Sequence, residues 1–292
     1  MCGVGYMTRC HVCFRHCDLK EGSMGFCGAR IGLADRVADS NYGKITALAL
    51  DPIEKKPLHR FYPGSKILSV GSYGCNLRCP FCQNSEISWG EESAEFAVSA
   101  ETITPEQLVS AAERQKKNGN IGIAFTYNEP LIGYEFVRDT ARLSHEKGMK
   151  NVIVSNGTAE LAVLEEIGPY IDAMNIDLKC FDPDTYKHVL GGDMRMTMEF
   201  IAGAVKISHV ELTCLIVPGI NDSHEMIKEM TDWISSLKDA SGNVCGKDIP
   251  LHVSRFFPCF HMTDRPPTPV GTVYGLAETA RETLNYVYTG NC

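Results

Sequence analysis

Residues 66–82 read KILSVGSYGCNLRCPFC, and the order of features in this stretch decides the architecture. Positions 66–70 form a short apolar run of the kind that reads as a buried strand. Directly after it, Cys75, Cys79 and Cys82 place three thiols in a single loop. Working outward, similar apolar runs recur at 121–126, 151–155, 173–178, 210–217 and 250–257. Helical spacing is read between and after them at 104–118, 131–147, 159–167, 182–190, 223–238 and 271–284. The first of these helices has a clear start, with Thr104 as N-cap, Pro105 at the first helical position and Gln107 completing a capping box. Strands that alternate with helices predict an α/β protein with a parallel sheet and crossover helices. Six such units fit a partial (β/α)6 TIM-like barrel better than a closed eight-fold one. Residues 66–292 are assigned to that barrel. Residues 1–65 are assigned to a small Cys-rich N-terminal extension and a connector, which carries an apolar stretch at 45–50 and prolines at 52, 57 and 63. In barrels of this kind chemistry sits where strands end, so position after a strand is the test applied to each motif.

The 292 residues are 44 % hydrophobic and 9 % aromatic, enough for a sizeable core. A net charge of −8 without a basic stripe argues against a nucleic-acid partner. No apolar run reaches the roughly 18 residues of a membrane span, and MCGVGYMTRC does not read as an export signal, so the expected compartment is the cytoplasm. Thirteen cysteines in a reducing compartment, seven of them in two tight groups, point to metal rather than disulfides.

The loop after the first strand carries the chemistry. A cubane [4Fe-4S] cluster usually takes four Cys ligands, and a three-thiol loop leaves one iron open. An open iron can chelate the amino and carboxylate groups of an amino-acid-like cofactor and pass an electron into a nearby sulfonium. Phe81, between the last two cysteines, offers an apolar surface beside a cluster and a purine. The competing readings are a zinc knuckle or cysteines that merely pack; zinc normally takes a fourth Cys or His nearby, and His59 is the nearest upstream candidate.

GCNLRCPFCQN resembles the cluster loop of the radical S-adenosylmethionine superfamily. Together with DPIEKKPLHRFYPG, FTYNEP, NIDLK, VPGIND, DRPPTP and YVYTGN, it resembles the AmmeMemoRadiSam branch, akin to pyruvate formate-lyase activating enzymes. These stretches span nearly the whole chain. The resemblance implies a radical SAM partial barrel and a [4Fe-4S] cluster at Cys75, Cys79 and Cys82. It also implies reductive cleavage of S-adenosylmethionine and hydrogen abstraction by a 5′-deoxyadenosyl radical. Reduced flavodoxin or a ferredoxin-type protein is the expected electron donor. The relation to activating enzymes suggests a glycine on a partner protein as substrate. The alternatives are a small molecule or another protein residue, or an electron carrier without catalysis.

The other strand ends supply candidate cofactor-binding groups. Glu129 in FTYNEP stands where the family uses a Gly-Gly-Glu stretch to bind the cofactor's ammonium, with Tyr127 and Asn128 in place of the glycines. Ser155 and Asn156 open an SNG turn that similar enzymes use beside ribose and methionine, although SNG is also common turn chemistry. Asp177 and Lys179, two apart on a strand, face the same way. A zwitterionic amino-acid tail, with or without a monovalent cation, would satisfy both; the alternative is that they bridge each other. Val217 opens VPGIND and is read as an adenine contact, and His252 lies in the last of the six strands. At the N-terminus, Cys10, Cys13, Cys17 and Cys27 fit tetrahedral zinc, a fully ligated second cluster, or free thiols. Spacing alone does not choose among these.

Overall fold

Eight strands form one open sheet, in which seven parallel strands are flanked at one edge by an antiparallel one. The computed structural model describes residues 7–292; Cys2 and most of the stretch read for an export signal lie outside the described residues. In chain order the sheet strands are β1 (Ala47–Pro52), β2 (Lys66–Gly71), β3 (Asn120–Phe125), β4 (Lys150–Ser155), β5 (Ala173–Asp177), β6 (His209–Ile216), β7 (Leu251–Arg255) and β8 (Val287–Gly290). Each of β2 to β8 lies parallel to its neighbours in chain order, and β1 pairs antiparallel with β2. The helices that return the chain are α1 (Pro105–Arg114), α2 (Tyr134–Glu146), α3 (Leu161–Ile167), α4 (Pro183–His188), α5 (Met194–Ala204), α6 (His224–Ser235) and α7 (Val270–Arg281). This is the expected α/β partial barrel. The parallel strands are buried on both faces, which is why they read as nearly continuous apolar runs.

The α1 capping box forms as its residues predict: the Thr104 side chain accepts from the Gln107 backbone, and Gln107 accepts in return from the Thr104 N–H at 2.7 Å.

In the central sheet and its crossover helices, three elements depart from the sequence reading. The stretch at 45–50, placed in a connector, supplies the edge strand β1. Helix α5 was not anticipated; Gly191 and Gly192 end the preceding helical region, and Asp193 then caps a new helix by accepting from Met196 N–H at 3.1 Å. The ending YVYTGN supplies β8, a seventh parallel strand paired with β7.

The segment between β1 and β2 turns back into the barrel. Ile53, Leu58 and Phe61 pack on Ile67, Ala124, Val152 and Ala173, forming an apolar plug. Asn175 on β5 donates to the Pro57 carbonyl at 2.8 Å and fixes the plug's depth. The N-terminal extension forms two small hairpins, Thr8–Arg9 with Asp18–Leu19 and Arg30–Gly32 with Val37–Asp39. Buried Arg30 anchors the second to Glu135 on α2 at 2.6 Å.

Candidate active site at the strand ends

Above the plug lies a cavity of about 590 Å³, lined on one side by the loop after β2 and on the others by successive strand ends. Cys75, Phe81, Cys79 and Cys82 line it together with Tyr127, Asn128, Glu129, Ser155, Asn156, Asp177, Lys179 and His252. Of the residues singled out for the barrel site, Val217 alone is not among the lining. It is fully buried, and its N–H donates to Asn221 Oδ1 at 2.6 Å. Asn221 also donates to the carbonyls of Lys179 and Leu215, so the VPGIND turn holds the ends of β5 and β6 together.

Several side chains read as cofactor contacts also hold the site in shape. Asn128 accepts from Ser72 N–H at 2.9 Å and donates to the Tyr73 carbonyl at 3.1 Å, clamping the end of β3 to the cysteine loop. Tyr127, at φ +75°, donates its hydroxyl to Asp51 at 2.7 Å, and the same Asp51 oxygen takes the buried Lys56 ammonium at 2.8 Å. Asn156 bridges from its amide nitrogen to Asn76 Oδ1 at 3.0 Å and reaches Cys75 Sγ at 3.7 Å. Gly157 is at φ +68°, and a Cβ there would lie 2.8 Å from the Ile176 side chain, so the SNG turn needs its glycine.

Glu129 is the best-organised acid in the cavity. Its carboxylate accepts from Ser155 Oγ at 2.8 Å, Asn156 N–H at 2.8 Å and Leu131 N–H at 3.0 Å. Burial nevertheless dominates these bonds and pushes its pKa up to about 7. Asp177 and Lys179 do bridge each other, at 2.7 Å, and both also face the cavity. Burial alone would lower the Lys179 ammonium; the Asp177 carboxylate leads the neighbours that more than offset it and hold it above its usual value. Burial raises the thiols as well, Cys79 to about 11 and Cys75 well above its ordinary value.

The sequence reading missed the floor of the cavity. Glu211 on β6, fully buried, accepts from His252 Nε2 at 2.7 Å, His209 Nε2 at 2.9 Å, His59 N–H at 2.9 Å and Arg60 N–H at 2.7 Å. Burial alone would raise this carboxyl, but the four donors outweigh it and hold its pKa down at about 2. His252 Nε2 is therefore committed to Glu211. The His59 ring packs edge-on against His252, centroids 4.8 Å apart, and the Tyr288 ring stacks on His252 at 5.3 Å. A charged residue in the middle of an apolar strand, within HVELTCLI, was the one local signal that could have found Glu211.

Residues 69–234 match the model of the Radical SAM superfamily, a span that begins in β2 and covers the cysteine loop and the strand ends described above. The chain belongs to the radical SAM superfamily. It is 41 % identical over 286 residues to a Methanocaldococcus jannaschii protein designated "uncharacterized protein MJ0808", covering 97 % of this chain and 81 % of that one. It is 29 % identical over 171 residues to the pyruvate formate-lyase-activating enzyme of Clostridium pasteurianum, covering 57 % and 68 % of the two chains. The crystal structure of Streptococcus suis SuiB superposes with a TM-score of 0.57 over 76 % of this chain and 48 % of SuiB, at 15 % identity, a likeness of fold.

Membership of the radical SAM superfamily implies a [4Fe-4S] cluster and S-adenosylmethionine. The residues present fit both groups. Cys75, Cys79 and Cys82 all face the cavity of about 590 Å³. A cubane spreads its thiolates over separate irons, as three residues along one loop facing a cavity allow. In the same cavity, a buried carboxylate and an Asp–Lys pair offer partners for an ammonium and a carboxylate.

Proposed function

We propose that Cys75, Cys79 and Cys82 ligate a [4Fe-4S] cluster with one open iron, and that the chain reductively cleaves S-adenosylmethionine and abstracts hydrogen from a substrate. The observation that carries this reading is the convergence of the three thiols with Glu129, Asp177 and Lys179 on one cavity. When bound, the cluster supplies the single electron that splits the sulfonium into methionine and a 5′-deoxyadenosyl radical. The protein's part is to hold and orient. Glu129 receives the cofactor's ammonium on Oε2, which holds one donor, Asn156 N–H, whereas Ser155 and Leu131 share Oε1. Lys179 faces the carboxylate, and Asp177 offers a second anionic contact or a seat for a monovalent cation. Ser155 and Asn156 border the ribose, Phe81 and the plug shield the reacting atoms from water, and Tyr127 and Asn128 keep the loop in register. Val217 supports the adenine side through the backbone of its turn.

The substrate we favour is a glycine on a partner protein, as in activation of glycyl-radical enzymes, and the Clostridium relative's name supports this. A small-molecule substrate is the second reading, favoured by the half-buried His59 and the buried His252 and Glu211 beneath the cavity, which suit a compact polar ligand. A flavodoxin- or ferredoxin-type protein would donate the electron. The four N-terminal thiols form a second metal site in this reading. Among the described residues no helix is long and apolar enough to cross a membrane, and the acidic net charge of −8 speaks against a nucleic-acid partner.

Anaerobic reconstitution with reductant tests the chemistry: 5′-deoxyadenosine and methionine form in equal amounts if the reading is right. A glycyl radical on a co-purified partner, seen by electron paramagnetic resonance, supports the first substrate class. Deuterium passing from a labelled metabolite into 5′-deoxyadenosine supports the second.

Glu129 predicts a pH dependence. Its raised pKa of about 7 leaves it neutral below that value and anionic above it. Affinity for S-adenosylmethionine should therefore fall about tenfold from pH 8 to pH 6, in step with the ionised fraction. Glu129→Gln should bind more weakly with a flat profile in equilibrium binding across that range. A wild-type profile equally flat would remove Glu129 from ammonium recognition.

A further inference from the structure

The cofactor contacts stand on the loop after β2 and at the ends of β3, β4 and β5. The rest of the cavity wall belongs to β6, β7 and the plug, where Thr213, Leu215, His252, Ser254 and His59 line it. Strand register orders this second side. Asp177, Thr213, His252 and Tyr288 are successive partners across β5, β6, β7 and β8, so they form one row facing the same way. Ser254 lies two residues on from His252, on the same face and one level nearer the mouth; Glu211 lies one level below Thr213.

Glu211 fixes which nitrogen of His252 is offered to the cavity. Its four donors hold it anionic, so His252 Nε2 carries a hydrogen and donates it to Glu211 at 2.7 Å. In the neutral ring Nδ1 is then an acceptor. That nitrogen has no protein partner and is not among the sealed, unpartnered polar atoms of the described residues, and His252 lines the cavity. Ser254 Oγ accepts from Asn291 Nδ2 at 3.1 Å, which leaves its own hydrogen free to donate. An acceptor and a donor thus stand about 6.6 Å apart along β7.

The chemistry of this side is uncharged at depth. Burial, with His252 beside it, holds the His59 pKa below its usual value, so that ring is neutral at pH 7. The Glu211 charge is already taken by its four donors. A hydroxyl group suits such a seat better than a carboxylate or a phosphate. Depth argues against a polypeptide: His252 is 4 % exposed, and a peptide loop would have to bring both chain ends back out past the cofactor in the same 590 Å³.

We propose that this side of the cavity is the substrate seat for a small hydroxylated molecule. Its O–H donates to His252 Nδ1, and a second oxygen accepts from Ser254 Oγ. The assignment rests on the radical reading above and takes the second of its two substrate classes, because the depth of the seat is a property of this chain. No bond is made or broken at His252. One C–H bond of the substrate breaks as one C–H bond of 5′-deoxyadenosine forms.

The test uses the reconstituted full chain with S-adenosylmethionine, reductant and the small-molecule filtrate of native cells grown on a deuterated carbon source. Deuterium should enter 5′-deoxyadenosine from the filtrate and not from the retained protein fraction; the opposite result overturns the proposal. The deuterated fraction of the product should fall about tenfold or more in His252→Phe. His252→Asn also loses the donor to Glu211 but keeps an acceptor near the place of Nδ1, and should stay within about threefold of wild type. Equal losses in the two would reduce His252 to a support for Glu211 and overturn the contact. Should His252→Phe fail to fold, Ser254→Ala decides: the half-buried Ser254 lies outside the Glu211 network, and an unchanged deuterated fraction overturns the seat. In the metal-free chain at mildly alkaline pH, nitrogen-15 spectra of labelled histidine should place the His252 hydrogen on Nε2; a hydrogen on Nδ1 overturns the proposal. Absence of any 5′-deoxyadenosine in wild type would instead fault the radical reading, which the metal-free spectra do not touch.

Discussion

Cys79→Ala, reconstituted in the full chain, should lose 5′-deoxyadenosine formation by more than about 100-fold, a larger loss than changes outside the ligand set typically bring. The reason is geometric. Cys79 sits at the centre of the loop, buried and facing the cavity beside Lys179. Two thiols hold a cubane poorly, so the variant should also lose the triad's iron and its resonance signal. The thiol is small and the methyl group of alanine fits its place, so the melting temperature of the metal-free protein should move by only a few degrees. Product and metal content measured together with thermal unfolding separate the effects. A variant that folds like wild type yet makes 5′-deoxyadenosine at the parental rate would remove Cys79 from the cluster.

Glu211→Ala should produce the largest loss of stability, about 3–5 kcal/mol, because it strands the donors of His59, Arg60, His209 and His252 around a buried cavity. For a chain of this size that corresponds to a fall of roughly 6–15 °C in melting temperature. Glu211→Gln, which keeps the volume and one acceptor oxygen, should cost less. The carboxylate also sets an acid limit. Its folded pKa of about 2 lies below its ordinary value of 4.5, so its contribution is present above about 4.5 and is lost as pH falls toward 2. The difference in stability between wild type and Glu211→Gln, followed by denaturant unfolding, should therefore shrink across that interval. A constant difference from pH 6 to pH 2.5 would show that the ionised carboxylate contributes nothing. Because His252 lines the cavity, Glu211→Ala should also release its ring, with histidine resonances in nuclear magnetic resonance spectra reporting the change.

Local sequence carried the parts of the fold that have a local signature. The strand at 66–70 followed at once by the triad, the alternation of apolar runs with helical spacing, and the Thr104 capping box each rest on neighbours a few residues apart. Residues such as Glu129, Asp177 and Lys179 were found because they stand at or just past the end of a strand, where a parallel sheet collects its loop ends. Lys179 and Asp177 illustrate the limit: their shared orientation was readable, but their pairing at 2.7 Å was a matter of rotamers.

The amino-acid order by itself determined that this is an α/β chain with three thiols at the end of a strand and a second set of four near its start. Only the tertiary structure decided that the segment around Ile53 to Phe61 enters the barrel as a plug, that β8 completes the sheet, and that Glu211 gathers His59, His209 and His252 beneath the cavity. The division has one physical cause. Helix and strand patterns arise from steric and solvation preferences that repeat every few residues, whereas Glu211 and His59 meet across 152 positions of chain. Such a contact is selected by packing and by the need to satisfy a buried charge, for which a local period carries no record.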